Sequence, residues 1–226
     1  MEPDYWLARW EEGRIGFHRE QPQCWLVAHA ERLLPRGDER LLVPLCGKSV
    51  DLAWLWRRGH AVVGVELSAR AIRDFFAEQQ LPATTRPAPR GAPFEVTAHG
   101  TLEVWRGDFF ALDPARDGTF PAIHDRAALI ALPAPLRRRY AQRCGELLAP
   151  GGRMLIVTLE YAQARMAGPP FSVEPDEVRE LFGPHGALEE LGAKSLIDEE
   201  PHFRERGLDA VVERAWLLTR RGGSEK

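Results

Sequence analysis

The sequence predicts an open α/β fold, a mostly parallel sheet with helices on both faces, and the stretch from Leu41 to Glu66 carries most of that expectation. A short apolar run, Leu41 to Leu45, is bounded by Arg40 and Gly47, as in a strand buried on both faces. An amphipathic segment and a second apolar run, Val62-Val63-Gly64-Val65, follow, and strand, helix and parallel strand in this order close a right-handed crossover. The same alternation recurs down the chain without any sequence repeat, which sets the class.

In chain order, Asp4 can cap a short helix that carries Trp6 and Trp10 on one face and stops at Gly13. Arg14 to His18 forms a loop, and Pro22 to Leu34 a second amphipathic helix ended by Pro35. After the turn Pro44-Leu45-Cys46-Gly47-Lys48-Ser49, Ser49 can cap a helix with Leu52, Leu55 and Trp56 on one face, and Gly59 ends it. Ser68 caps the next helix, through Ile72, Phe75 and Phe76 to about Gln80. Pro82, Pro87, Pro89, Gly91 and Pro93 predict a surface loop. Phe94 to Ala98 and Thr101 to Arg106 form a hairpin whose second arm is the third main strand. A fourth strand, about Pro121 to His124, ends in Asp125-Arg126, and a helix from Ala134 to Leu148 leads through Pro150-Gly151-Gly152 into a fifth strand, Arg153 to Leu159. A helix from about Glu174 to Phe182 and strands near Leu188 to Asp198 and Val211 to Thr219 complete one domain. Within it, 1–36 is an N-terminal helical cover, 37–221 the core and 222–226 a frayed tail.

Leu45 to Gly47, Glu66, Asp108-Phe109 and Asp125-Arg126 all fall at carboxyl ends of parallel strands, the edge at which open α/β sheets bind ligands. Glu66 stands nineteen residues after Gly47, where a carboxylate can accept both hydroxyls of a ribose. On residue type alone it is equally a solvated strand-end acid. The turn has a single glycine, Gly47, where a pyrophosphate site wants three, so a ligand with a ribose but no pyrophosphate fits better. S-Adenosylmethionine is the common one, and a nicotinamide-dependent dehydrogenase is disfavoured.

The 226 residues, 44% hydrophobic and 28% charged, describe an ordinary globular protein, and the net charge of −3 gives no pull toward nucleic acid or anionic membranes. No apolar run spans a bilayer and the first residues resemble no signal peptide, so a cytoplasmic location without a membrane partner is expected. Cys24, Cys46 and Cys144 suggest neither disulfides nor zinc, and the histidines show no paired metal spacing.

Trp6-x-x-x-Trp10, Gly16-Phe17-His18, Pro44-Leu45-Cys46-Gly47-Lys48-Ser49, Gly59-His60, Val63-Gly64-Val65-Glu66, Asp125-Arg126-x-Ala128-Leu129, Gly168-Pro169-Pro170-Phe171 and Leu181-Phe182-Gly183 occur in one order from about Asp4 to Arg220. With these motifs the chain resembles the bacterial thiopurine S-methyltransferases. The resemblance implies a Rossmann-like class I methyltransferase: a seven-stranded sheet with its last strand antiparallel, S-adenosylmethionine as cofactor, and a monomer acting on a small-molecule thiol. It implies further that Trp6, Trp10 and Phe17 cover the cofactor and that Leu45 and Gly47 contact its methionine end. Glu66 then binds the ribose, and Asp108 and Phe109 flank the adenine. Arg126 sits near the methionine carboxylate or stabilises a thiolate, with Phe17, Pro169 and Phe171 as acceptor walls. One departure stands out: family members of this type commonly carry an arginine, aimed at the polar edge of the substrate, where His202 stands here with Arg204 and Arg206 nearby, so His202 and Arg204 are the implied substrate contacts. Aromatic or heteroaromatic thiols are the implied acceptors, and selenium or tellurium nucleophiles also fall within the bacterial family's range. Rival readings are a halide, thiocyanate or amine acceptor, or a module that binds the cofactor without turnover.

Overall fold

A computed structural model describes residues 3–16, 18–37 and 39–222, so the assignment of Phe17 and most of the expected tail lie outside the described residues. The chain runs α1 (Pro3–Glu11), α2 (Cys24–Leu33), β1 (Arg40–Pro44), α3 (Val50–Trp56), β2 (Ala61–Glu66), α4 (Ala69–Glu78), β3 (Thr84–Pro87), β4 (Glu95–His99), β5 (Leu102–Arg106), α5 (Pro114–Asp117) and β6 (Phe120–Asp125). It continues through α6 (Ala128–Ala131), α7 (Ala134–Leu147), β7 (Leu148–Glu160), α8 (Pro175–Phe182), β8 (Gly186–Ser195), α9 (Pro201–Glu205) and β9 (Val212–Arg220).

These strands form one sheet in the order β3-β4-β5-β2-β1-β6-β7-β9-β8. The strands β5, β2, β1, β6 and β7 are parallel, while β9 lies antiparallel between β7 and β8. The sheet therefore has nine strands rather than the expected seven. The hairpin arm β4 extends the β5 edge, and β3 pairs with it inside the segment expected to be a surface loop. The reason is physical: all of Thr84 to Pro87 is exposed, so β3 has no buried face to leave an alternating pattern, and Pro87 is tolerated because the strand is at an edge.

Alternation along β1 shows how the core is split. Leu41 and Val43 pack with Leu26, Leu33, Leu52, Leu55, Ile72 and Phe75 from α2, α3 and α4 on one face. Leu42 packs with Tyr140, Leu147, Val178 and Phe182 from α7 and α8 on the other. Each such side chain, once fully buried, contributes about 1.5–3 kcal/mol. The expected caps form, Ser49 accepting the Asp51 N–H and Ser68 that of Ala71. Two helix starts differ from expectation: Asp4 lies inside the first turn of α1, and α2 begins at Cys24 behind a Gln23 cap.

Candidate functional site

Because β1 and β2 pair in register up to Pro44 and Val65, and β2 and β5 up to Glu66 and Arg106, their carboxyl ends form one edge beside that of β6. The turn leaving β1 is tightly folded, with Leu45 at φ +48° and Gly47 at φ +53°. It lies against β2, since the Cys46 N–H reaches the Val65 carbonyl at 3.0 Å. Gly64 allows that approach: a Cβ there would lie 2.7 Å from the Cys46 Sγ. From above, the Trp10 indole covers Gly47, its Cζ2 only 3.0 Å from where a Cβ would stand. Trp10 is buried at 3% exposure, and α1 is also tied to α4 through Arg70 and the Glu11 carbonyl at 2.7 Å. Trp6 is half-buried, edge-on to Tyr5.

Glu66 is held by its neighbours before any ligand arrives. One carboxylate oxygen accepts the Gly47 N–H and the other the Ser68 N–H, each at 2.8 Å. Burial pushes its carboxyl up, against the pull of these amides. Each oxygen keeps a second lone pair, so the group can accept two hydroxyls without releasing either turn. An acceptor-only, pre-oriented carboxylate of this kind fits a ribose diol. At the end of β5, Asp108 and Phe109 part company: Asp108 is exposed and accepts the Phe110 N–H at 2.9 Å, whereas Phe109 is 2% exposed and packs on Tyr140.

At the end of β6, Arg126 lies 3.6 Å from the carboxylate of Asp51 in the first turn of α3. The same oxygen faces His124 Nε2 at 3.0 Å, and the other accepts the Gln23 N–H at 2.9 Å. Asp51 and His124 are fully buried. Burial opposes the Asp51 charge, yet the hydrogen bond from His124, with the His124 and Arg126 charges and the Gln23 amide, holds its carboxyl below the ordinary range. Arg126 is lowered by burial, supported by Asp51 and opposed by the nearby Arg19 cation. Sequence reasoning missed Asp51 and His124. A signal existed for the first: Asp51 is four residues before Leu55, hence on the buried stripe of α3. Next to Arg126, Asp125 is also fully buried; it accepts the Tyr140 hydroxyl at 2.8 Å and the Ala128 and Leu129 amides, and burial raises it to about 6.

The loop after β7 is anchored close by. The Phe171 N–H bonds the Ile130 carbonyl of α6 at 2.7 Å, and the Tyr161 hydroxyl bonds that of Pro170 at 2.6 Å. Pro169 and Phe171 are half-buried, and the Arg137 guanidinium lies 5.7 Å from the Phe171 ring. In and beside α9, His202 Nδ1 lies 3.3 Å from Glu200, whose other oxygen meets Arg19 at 2.9 Å. Arg204 is exposed and paired with Asp198. The structure thus brings Trp10, Leu45, Gly47, Glu66 and Arg126 to one edge, and leaves Arg204 in solvent and the Phe109 ring in the core.

Cavities of about 510 Å³, between α4 and the β3–β4 hairpin, and about 460 Å³, at the amino ends of β1 and β2, lie beside this edge and opposite it; neither is lined by Gly47, Glu66 or Arg126. Among the described residues no cluster of three or more His, Cys, Asp or Glu is placed to hold a metal, and no helix is long and apolar enough to cross a membrane.

The family model for thiopurine S-methyltransferase matches residues 1–221. A Pseudomonas putida protein named thiopurine S-methyltransferase is 46% identical over 97% of this chain and 100% of its own. One from Azotobacter vinelandii is 46% identical over 98% of this chain and 100% of its own. Among solved structures, the Burkholderia thailandensis 1,6-didemethyltoxoflavin-N1-methyltransferase with bound S-adenosylhomocysteine matches with a TM-score of 0.61 and 16% identity, over 96% of this chain and 87% of that one. At that identity the likeness concerns the fold.

Proposed function

The chain belongs to the thiopurine S-methyltransferase family and is an S-adenosylmethionine-dependent methyltransferase, and from that premise we propose that its acceptor is the sulfur of an aromatic or heteroaromatic thiol. Selenium and tellurium nucleophiles belong to the same proposal, since they are soft and readily anionic like a thiolate. The observation that supports a thiol best is Arg126, a cation at the carboxyl end of β6 whose guanidinium is steered by a buried acid rather than left to solvent.

When bound, S-adenosylmethionine supplies a methyl group on a sulfonium sulfur. Glu66, its oxygens already oriented by two backbone amides, would hold the ribose. Trp10 lies over Gly47 and, with Trp6, would keep water from the methionine end of the bound cofactor. Arg126 favours the ionised form of a thiol brought near it, because an opposite charge stabilises the anion. A thiolate needs no proton removed during transfer, so alignment and exclusion of water are the main requirements. Neutralisation of charge along the reaction is then favoured by a poorly solvated site, with Pro169 and Phe171 as apolar walls.

The acceptor class is tested by offering the protein S-adenosylmethionine with benzenethiol, phenol, aniline, iodide and thiocyanate separately, and identifying products by mass spectrometry. S-methylation of benzenethiol is the expected outcome. Methyl transfer to nitrogen, oxygen or halide without transfer to the thiol contradicts it, and cofactor binding without any product favours a binding module.

A further inference from the structure

Three basic side chains on the acceptor side of this site have a carboxylate facing them. Arg126 has Asp51 at 3.6 Å, Arg19 has one oxygen of Glu200 at 2.9 Å, and His202 has the other at 3.3 Å. These groups come from elements that converge here. Arg19 belongs to the segment between α1 and α2, and its charge reaches Arg126. Glu200 immediately precedes α9, and Phe203 of α9 is buried in the core cluster that also holds Tyr161, whose hydroxyl bonds the Pro170 carbonyl of the acceptor loop.

We infer that Glu200 sets the charge preference of the acceptor site: as counter-ion to Arg19 and close neighbour of His202, it favours acceptors without a fixed anionic substituent. The inference rests on the reading above that the acceptor lies between Arg126 and α9. The physical argument is one of competition. Arg19 and His202 are each about two-fifths exposed, at 42%, and both point at a carboxylate that is only 22% exposed. An acceptor bearing its own carboxylate must either displace Glu200 from two partners or bind beside a like charge. A neutral acceptor does neither. The effect discriminates rather than catalyses, as charge complementarity does at binding surfaces. It also gives His202 a role in this chain: its ring faces Glu200, a group of the protein itself.

The test uses the S-adenosylhomocysteine complex of the full chain, titrated calorimetrically with benzenethiol and with 4-mercaptobenzoate, which differ by one carboxylate. Glu200→Gln is nearly isosteric at a partly exposed site and leaves the Arg19 charge uncompensated. It should tighten 4-mercaptobenzoate roughly tenfold while leaving benzenethiol within about twofold, given the partial screening of exposed charges. Adding Arg19→Gln should remove most of that gain. Equal change for both thiols, no change for either, or a gain that survives the loss of Arg19 overturns the inference, as does failure of both thiols to bind parent and variants. Methyl transfer to benzenethiol is followed in parallel. If the parent binds the thiols but methylates neither, the proposed reaction fails while the affinity ratios still decide the role of Glu200.

Discussion

Glu66 uses one carboxylate to hold two turns, the one after β1 through the Gly47 amide and its own strand end through the Ser68 amide. A ribose would use its remaining lone pairs, so Glu66→Gln, which keeps the volume and removes the charge, should weaken S-adenosylhomocysteine binding. Hydrogen bonds to a charged acceptor contribute about 1.5–3 kcal/mol, or about ten- to hundredfold in affinity. Titration calorimetry on a variant with native circular dichroism measures this, and unchanged affinity removes Glu66 from the site. Asp51 provides a second check. Removing one partner of a buried charge pair costs about 3–5 kcal/mol, and an asparagine retains a carbonyl acceptor, so Asp51→Asn should lose about 3 kcal/mol in urea unfolding. A loss below 1 kcal/mol would mean that Asp51 neither supports Arg126 nor joins α3 to the start of α2. These two acids also mark the limit of what the residues disclose. Glu66 was legible because its distance from Gly47 follows from strand, helix and strand lengths. The Asp51–His124 pair was not, because its members are 73 residues apart and meet only once β6 lies beside β1.

Where β6 passes into α6, the buried Asp125 receives two amides of the helix start and the Tyr140 hydroxyl, and burial raises its carboxyl from 3.8 to about 6. A carboxyl that binds its proton more tightly when folded adds stability below its unfolded value, and that contribution disappears as pH rises through about 6. Two units correspond to about 3 kcal/mol. Asp125→Asn does not titrate, so parent minus variant stability should fall by about that amount between pH 4 and pH 6 and stay level above. Urea unfolding across this range checks it, and a flat difference contradicts the assignment. The turn after β1 has its own test. Gly47→Ala places a Cβ 3.0 Å from Trp10 at φ +53°, so α1 should loosen and its amides exchange faster. Unaltered exchange across Pro3–Glu11 would show that Trp10 does not rest on this turn. Helices α3 and α4 were legible from their apolar residues and serine caps. Strand β3 was not, since exposed Thr84 to Pro87 owes its pairing to β4 rather than to a buried face.

Across the whole molecule, the crevice follows from strand order: β1 lies between β2 and β6, so the chain turns to opposite sides of it and the ends of these strands open toward one another. The alternating elements made the α/β class legible and the family resemblance implied an antiparallel last strand, but the order of strands was not legible, because spacing alone does not say which strands are neighbours. The N-terminal cover shows the same division. Trp6 and Trp10 were readable as one helical face, whereas the seating of Trp10 on Gly47 needed the folded sheet. The central claim is that this edge binds S-adenosylmethionine and presents its methyl group to a thiol beside Arg126. The most direct measurement is a crystal structure of the full chain with S-adenosylhomocysteine and an aryl thiol. The account predicts both ribose hydroxyls on Glu66, the thiol sulfur facing the cofactor sulfur between Arg126 and Phe171, and Trp10 over the methionine end. Cofactor seated in the cavity between α4 and the β3–β4 hairpin, or a thiol remote from Arg126, would contradict it.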